Sequence, residues 1–442
     1  MKLSFVCTIG IALVGAVALL PGAAALDAPH TLHRPRATQP RLTETHRAAS
    51  RRTTSHTASA RTSTATSAAV RGSRTHAASQ SGPARLTARG QARANARQVA
   101  LHSRRHHYYE RFTASSFATS DEFAGDITAG EDPVVRQAAI DALGDMNGTA
   151  VVIDPSNGRI LAMVNQKLAL SPGAEPCSTI KLTVALAALS EGLVTRDTPV
   201  QLAGFRMNMT QALAKSNNLY FEELGRELGF DRVRHYANQF GLGELAGYHI
   251  QGEQLGVYPD HEISAADGGV GRMCSFGQGV SLTPLQLGAY VAAIANGGTL
   301  YYLQHPTTPQ EAAELQPHVK RMLDIARYTP EMVDGMAGAV EYGTARRLRA
   351  NFQQFPVFGK TGTCSDNGTR FGWFVSYSQG PQGDLVTVFF LEGGRPVFGP
   401  RAAELTGEFY KNLWDRDYFA TKNQEAKSDT GVAPGAPVGA TQ

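Results

Sequence analysis

Thr149-Ala150-Val151-Val152-Ile153-Asp154-Pro155-Ser156-Asn157-Gly158-Arg159-Ile160-Leu161-Ala162-Met163-Val164 is a pair of short apolar runs around a four-residue break. Aliphatic and β-branched side chains flanking Pro155 to Gly158 predict an antiparallel hairpin. Residues 179–296 are then dominated by apolar residues at helical spacing. Strand-like runs return only at 356–363, 373–377 and 385–392. A last helix at 401–414 would put Leu405, Phe409 and Leu413 on one face. Strands at both ends with helices between them predict one sheet built from distant segments and covered by helices, an α+β architecture. This body is expected to run from 132 to 420.

Working outward, the chain changes character on both sides. Residues 421–442 are polar, contain Pro and Gly, and are expected to be a disordered tail. The stretch 28–109 holds fifteen Arg, no Lys, and Glu44 as its only acid, so it carries +14. The whole chain is only +4, which leaves −10 for the remainder. Residues 26–115 are rich in Ala, Ser, Thr, Arg and His and poor in Leu, Ile and Val, so they are expected to form a disordered basic arm. Eight of the thirteen histidines lie in it, so its charge should grow as pH falls through about 6.5. It reads either as a solvated spacer or as a segment that docks on an anionic membrane or wall surface. Nucleic acid is not expected, because no aromatics are interleaved for base stacking. Residues 1–25 join Lys2 to an apolar run ending in Ala23-Ala24-Ala25. That is the layout of a secretory signal peptide, or of an uncleaved membrane anchor, and it puts the body outside the cytoplasm. With four cysteines and no CxxC or HExxH pattern, neither a disulfide scaffold nor a metal site is expected, and no cofactor is implied.

Three short motifs fall on this frame in order. Ser178-Thr179-Ile180-Lys181 opens a helix just after Pro176. Ser216-Asn217-Asn218 lies on a loop or helix start. Lys360-Thr361-Gly362-Thr363 ends a strand. Each alone is a weak signal, Lys-Thr-Gly being the rarest by chance, and alone Ser178 reads as a helix cap, Lys181 as a solvated charge and Lys360 as an edge-strand charge. Their order and context carry the information.

The body resembles the penicillin-binding transpeptidase domain shared by bacterial cell-wall D,D-transpeptidases and serine β-lactamases. Besides the three motifs, the likeness takes in the opening hairpin from Ala150 to Met163 and Phe276-Gly277-Gln278-Gly279. It continues through Thr283-Pro284-Leu285-Gln286, Asn296-Gly297-Gly298, Gly343-Thr344-Ala345 and Gly372-Trp373-Phe374-Val375. It implies a β-lactamase/transpeptidase-like fold: an antiparallel sheet flanked by helices, with a mainly helical subdomain.

The residue types suit that chemistry. Lys181 follows Ser178 by three positions on a helix, so both side chains share a face. A serine hydroxyl needs a base, and lysine serves only when neutral, which burial and a neighbouring cation such as Lys360 can achieve. By resemblance, Ser178 is the nucleophile, Lys181 its base and Ser216 a proton relay. Asn218 would bind substrate backbone, while Lys360, Thr361 and Thr363 around Gly362 would hold a terminal carboxylate. The backbone N–H groups of Ser178 and Thr363 would form the oxyanion hole. The implied reaction is acyl transfer on stem peptides ending in D-Ala-D-Ala during peptidoglycan crosslinking, and β-lactams would be trapped by the same attack. Trp373 reads as core.

Some features depart from the family. Cys177 stands where the family commonly has Gly, Cys364 follows Thr363, and Cys274 precedes Phe276. If the fold holds, all three could lie near one cleft, either as small buried packing residues or with a disulfide or redox-sensitive pair, Cys177–Cys364. Large cell-wall members carry a further folded domain ahead of the transpeptidase, where this chain has its arm. Other outcomes for the same frame are a D,D-carboxypeptidase, a class D-like β-lactamase, or a non-catalytic penicillin-binding sensor or scaffold. Asn218 weighs against the lactamase, which typically has an apolar residue there.

Overall fold

The computed structural model describes residues 114–118 and 122–420. The expected leader or anchor (1–25), all but the last two residues of the arm (26–115) and the tail (421–442) lie outside the described residues. The helices are α1 (Pro133–Leu143), α2 (Gln166–Ala169), α3 (Lys181–Ser190), α4 (Met209–Lys215), α5 (Asn218–Leu228) and α6 (Phe230–Gln239). They continue with α7 (Gly269–Phe276), α8 (Pro284–Ala295), α9 (Pro309–Ala313), α10 (Thr329–Glu341), α11 (Leu348–Asn351) and α12 (Gly399–Asp415). The strands are β1 (Gly148–Asp154), β2 (Arg159–Val164), β3 (Val200–Leu202), β4 (Phe205–Met207) and β5 (Thr299–Tyr301). After these come β6 (Val319–Met322), β7 (Val357–Asp366), β8 (Thr369–Gly380) and β9 (Gly383–Gly393).

The hairpin forms as expected, with β1 and β2 antiparallel. Its turn is held by the Asp154 carboxylate, which accepts from the Ser156 N–H and hydroxyl and from the Asn157 amide. The main sheet runs β2-β1-β9-β8-β7, so the N-terminal hairpin is inserted beside the last strand rather than beside the next one in sequence. β1 pairs antiparallel with β9, which closes the sheet across more than 230 residues of chain.

Both sheet faces are buried, and the side chains sort by strand alternation. Val151, Ile153, Trp373, Val375, Val388 and Phe390 join one core with helices α3 to α8. Ala150, Val152, Phe374, Phe389 and Leu391 join a second core with α1 and α12. A sheet covered on both sides needs apolar residues at successive positions, which is why β1 reads as a continuous aliphatic run. Trp373 is fully buried and stacks on Phe390 at 3.9 Å between ring centroids, in agreement with the core reading.

Two family motifs turn out to hold the frame. Thr283 and Gln286 make a reciprocal capping box at the start of α8, with Pro284 in its first turn. Asn296, at the end of α8, donates to the carbonyls of Pro155 and Thr299 and accepts from the N–H groups of Gly298 and Thr299. That one amide ties the β1–β2 turn to the helical layer.

The last strands are longer than their apolar runs suggest. β7 continues past Thr363 to Asp366, so Lys360-Thr361-Gly362-Thr363 lies within a strand instead of ending one. The reason is the turn: Asn367 and Gly368 are both left-handed, with φ of 46° and 85°, the two-residue connection whose twist matches a hairpin. N-terminal to Asp132, Phe123 packs against the core on the α1 and α12 side. Arg136 bridges Asp126 and Glu131 at 2.7 and 2.8 Å, and Glu131 also meets His305 at 2.9 Å.

Replacing Asn296 by Ala removes four hydrogen bonds, at about 1 kcal/mol each in the usual range. Asn296→Ala should therefore lower the unfolding free energy by about 4 kcal/mol, read as an earlier urea midpoint with an unchanged slope.

Candidate active site

The three motifs converge. Ser178 sits on a 3₁₀ turn, Cys177–Ile180, that leads into α3, and Lys181 is the first residue of that helix. Ser216 is the left-handed C-cap of α4, with φ of 54°. Asn217 caps the start of α5 by accepting from the Tyr220 N–H, which leaves Asn218 as the first residue of α5. Lys360 rises from β7. Ser178 is half-buried, both lysines are fully buried, and Thr363 is exposed.

The Lys181 amine has four oxygen neighbours: Ser178 Oγ at 2.8 Å, the Ser216 carbonyl at 3.0 Å, Ser216 Oγ at 3.2 Å and Asn218 Oδ1 at 2.6 Å. Two of them, the carbonyl and the amide oxygen, can only accept. A neutral amine has two N–H groups and one lone pair, so those acceptors use both donors. The lone pair is then free to accept the Ser178 O–H. Charge follows the same direction. Burial, then the nearby Lys360 ammonium, push the Lys181 amine well below its ordinary pKa, while Glu222 pulls the other way. Lys360 donates to Ser216 Oγ at 2.7 Å and to the Thr361 carbonyl at 3.0 Å, and burial lowers its own pKa to about 7. The Ser216 hydroxyl thus takes a Lys360 donor and lies 3.2 Å from the Lys181 nitrogen.

Close backbone approach sets these positions. A Cβ on Gly362 would lie 2.8 Å from the Pro176 carbonyl oxygen, so only glycine lets β7 pack against the turn that carries Ser178. Gly343 plays the same part at the end of α4, where a Cβ would lie 2.1 Å from the Ala214 carbonyl oxygen. Thr344 then donates its N–H to that carbonyl at 3.2 Å, and its hydroxyl meets Thr361 Oγ1 at 2.6 Å. Gly343-Thr344 is therefore a strut from the Ser216 turn to the Lys360 strand.

All eight site residues expected from the sequence lie in this region, with differences in detail. Thr361 is buried against Thr344. Thr363 is exposed, and its hydroxyl accepts the Gly399 N–H at 2.8 Å. Asn218 uses its amide oxygen on Lys181. Two neighbours were missed in the sequence reading: Phe221, whose ring centroid is 5.7 Å from the Lys181 nitrogen, and Glu222. Both lie three and four residues after Asn218, so helical spacing already put them on its face. Of the two readings left open for the cysteines, the Cys177–Cys364 bridge is the one present, with 5.5 Å between Cα atoms, while Cys274 is free and buried.

A family model described as the penicillin binding protein transpeptidase domain matches residues 148–408. The chain belongs to that family. Within it, this transpeptidase domain is 30% identical over 257 residues to Stage V sporulation protein D of Bacillus subtilis, covering 48% of this chain and 39% of the relative. It is 25% identical over 350 residues to Peptidoglycan D,D-transpeptidase MrdA of Acinetobacter baumannii, covering 61% and 51%. The chain thus spans about half the length or less of these curated relatives. Among solved structures, Pseudomonas aeruginosa PBP2 in complex with WCK 5153 superposes with a TM-score of 0.55 at 24% identity, covering 66% of this chain and 78% of that one. The transpeptidase-like α+β fold expected from the sequence is the fold observed.

The linked stability consequence of Lys360 has a definite sign. Between about pH 7 and 10.5 the unfolded chain holds a proton on this lysine that the folded chain has released. Stability must then rise with pH across that window. Urea unfolding of the protein and of Lys360→Met should show the wild type gaining on the variant from pH 7 to 10, and parallel curves would remove the shift.

Proposed function

We propose that this transpeptidase domain is an active serine D,D-transpeptidase that crosslinks peptidoglycan outside the cytoplasm. The observation that carries the proposal is the Lys181 amine, whose two donors are used by fixed acceptors while Ser178 Oγ lies 2.8 Å away. Ser178 Oγ attacks the carbonyl of the D-Ala-D-Ala bond as its proton passes to Lys181. The developing oxyanion would be held by the N–H groups of Ser178 and Thr363. Ser216, between the two lysines, would pass a proton to the departing D-Ala amine, so that the C–N bond breaks and an acyl ester remains on Ser178. An amine of a second stem peptide then attacks the ester, and Ser178 leaves with its proton restored.

Substrate contacts follow from what each group has left to offer. Asn218 has its amide oxygen on Lys181, so its Nδ2 donors are the end available to a substrate carbonyl. Exposed Thr363, with the Lys360 charge behind it, suits the terminal carboxylate better than Thr361, which is taken up by Thr344. A β-lactam would acylate Ser178 by the same steps. Among the described residues no helix is long and apolar enough to cross a membrane. The basic arm would set reach or touch an anionic wall or membrane surface.

Fluorescent penicillin on the full chain tests this directly. A label that persists for hours and is lost in Ser178→Ala is the expected result, with Lys181→Ala slowing labelling by about 10³-fold. Rapid drug turnover would mean a β-lactamase, and no Ser178-dependent label on folded protein would end the enzymatic reading. The pH profile of acylation should be a bell. The rate is lost on the acid side as Lys181 gains a proton, and it declines above about pH 7 as Lys360 loses its charge.

A further inference from the structure

Cys177 and Cys364 occupy the positions next to the two proposed oxyanion donors. Cys177 immediately precedes Ser178, and Cys364 immediately follows Thr363. The bridge between them spans 187 residues of sequence and joins the nucleophile turn to β7. Cys177 has φ of 52°, a left-handed conformation that a side chain adopts at a steric penalty and that glycine adopts freely. A cysteine there is explained by its sulfur and not by its backbone. We propose that the Cys177–Cys364 disulfide is a positioning element of the acylation site, so that Ser178 acylates rapidly only while the bridge is closed. This rests on the acylation reading above.

The physical argument is one of spacing. A sulfur pair bonded at about 2 Å must, once reduced, separate to roughly van der Waals distance, an opening on the order of 1.5 Å. The surroundings give it little room on the near side. Cys177 is fully buried, and Gly362 already lies in close contact with Pro176. Both sulfurs also sit near the Glu175 carbonyl oxygen, at 3.4 and 3.8 Å, and that oxygen accepts the Trp373 indole N–H at 3.0 Å. In the bridge neither sulfur carries a hydrogen, so the indole is the donor. Reduction would add two S–H groups competing for the same oxygen. Reactive groups are effective within about 0.5 Å of their productive geometry, and a displacement near 1 Å is enough for losses of about 10²-fold.

The redox step is ordinary exchange. A dithiol reductant attacks Cys364 Sγ, which is half-buried, in preference to the enclosed Cys177 sulfur. The S–S bond breaks, and the mixed disulfide resolves to an oxidised reductant and two protein thiols, with two electrons and two protons coming from the reductant. Cys274 stays out of this exchange, because burial raises its thiol pKa far above neutrality.

The test measures acylation of the full chain by fluorescent penicillin in stopped flow, before and after treatment with dithiothreitol followed by desalting. It separates the binding constant of the first complex from the acylation rate constant, and mass spectrometry with alkylation counts the thiols. Reduction should add two alkylatable thiols and lower the acylation rate constant 10- to 100-fold. The binding constant should stay within about twofold, and reoxidation should restore the rate. Cys177→Gly with Cys364→Ser keeps the left-handed turn without strain. It should acylate at the reduced rate and ignore the reductant, with a circular dichroism spectrum like that of the wild type. Equal acylation rates in the oxidised and reduced forms, even with a lowered melting temperature, would make the bridge a staple only and overturn the proposal, as would native protein that gains no thiols on reduction. Oxidised protein that takes no label at Ser178 would instead overturn the acylation reading on which this one stands.

Discussion

A lysine can serve as a base at neutral pH only if the protein keeps its proton off, and most of this site follows from that demand. Lys181 is fully enclosed, so water cannot stabilise its charge. Its two hydrogen-bond donors are used by the Ser216 carbonyl and the Asn218 amide oxygen, neither of which can give a proton back. A second enclosed amine, Lys360, donates to the Ser216 hydroxyl, which lies 3.2 Å from the Lys181 nitrogen. Two buried cations this close repel each other, so charge on Lys360 holds Lys181 neutral. The arrangement is costly to stability and useful to chemistry, a common balance where groups are held ready to react.

That balance explains where the strands and glycines go. Ser178 and Lys181 belong to one turn and helix start, Ser216 and Asn218 to the junction of α4 and α5, and Lys360 to the edge strand β7. None of these segments is a neighbour of another in sequence. They meet because β7 carries Gly362 where Pro176 must pass, and because Gly343 lets Thr344 dock on the Ala214 carbonyl. The disulfide adds a covalent tie between the nucleophile turn and β7.

How far the sequence carried the reading depends on the kind of information. The hairpin, the apolar strands and the three motifs were legible because periodicity and residue type are local. The extension of β7 to Asp366 was also legible in Asn367-Gly368, a two-residue hairpin signal that lies outside the apolar run and was passed over. Phe221 and Glu222 could have been read from helical spacing once Asn218 was placed. The Cys177–Cys364 bond was different, since a separation of 187 residues says nothing about a 5.5 Å Cα distance, and only the packing of β7 on the nucleophile turn decides it. The particular bonding of Lys181 was beyond reach for the same reason. Its partners come from a carbonyl and an amide whose orientations are set by two helix caps.

The two cores also divide the work. The core on the α1 and α12 side joins the ends of the chain's body to the sheet. The other core includes Ile180, Leu182 and Phe221, neighbours of the reacting groups, together with Trp373 from the sheet. The site therefore lies along a seam between sheet and helical layer, and its geometry depends on contacts that cross the seam. Gly362 against Pro176, Trp373 on the Glu175 carbonyl, Thr344 on Thr361 and the disulfide are four such contacts, drawn from three pairs of segments. Loosening any one lets the layers shift while each core stays packed. Opening along the seam should thus disable the chemistry at a free energy below that of global unfolding, because it separates these contacts and leaves both cores packed.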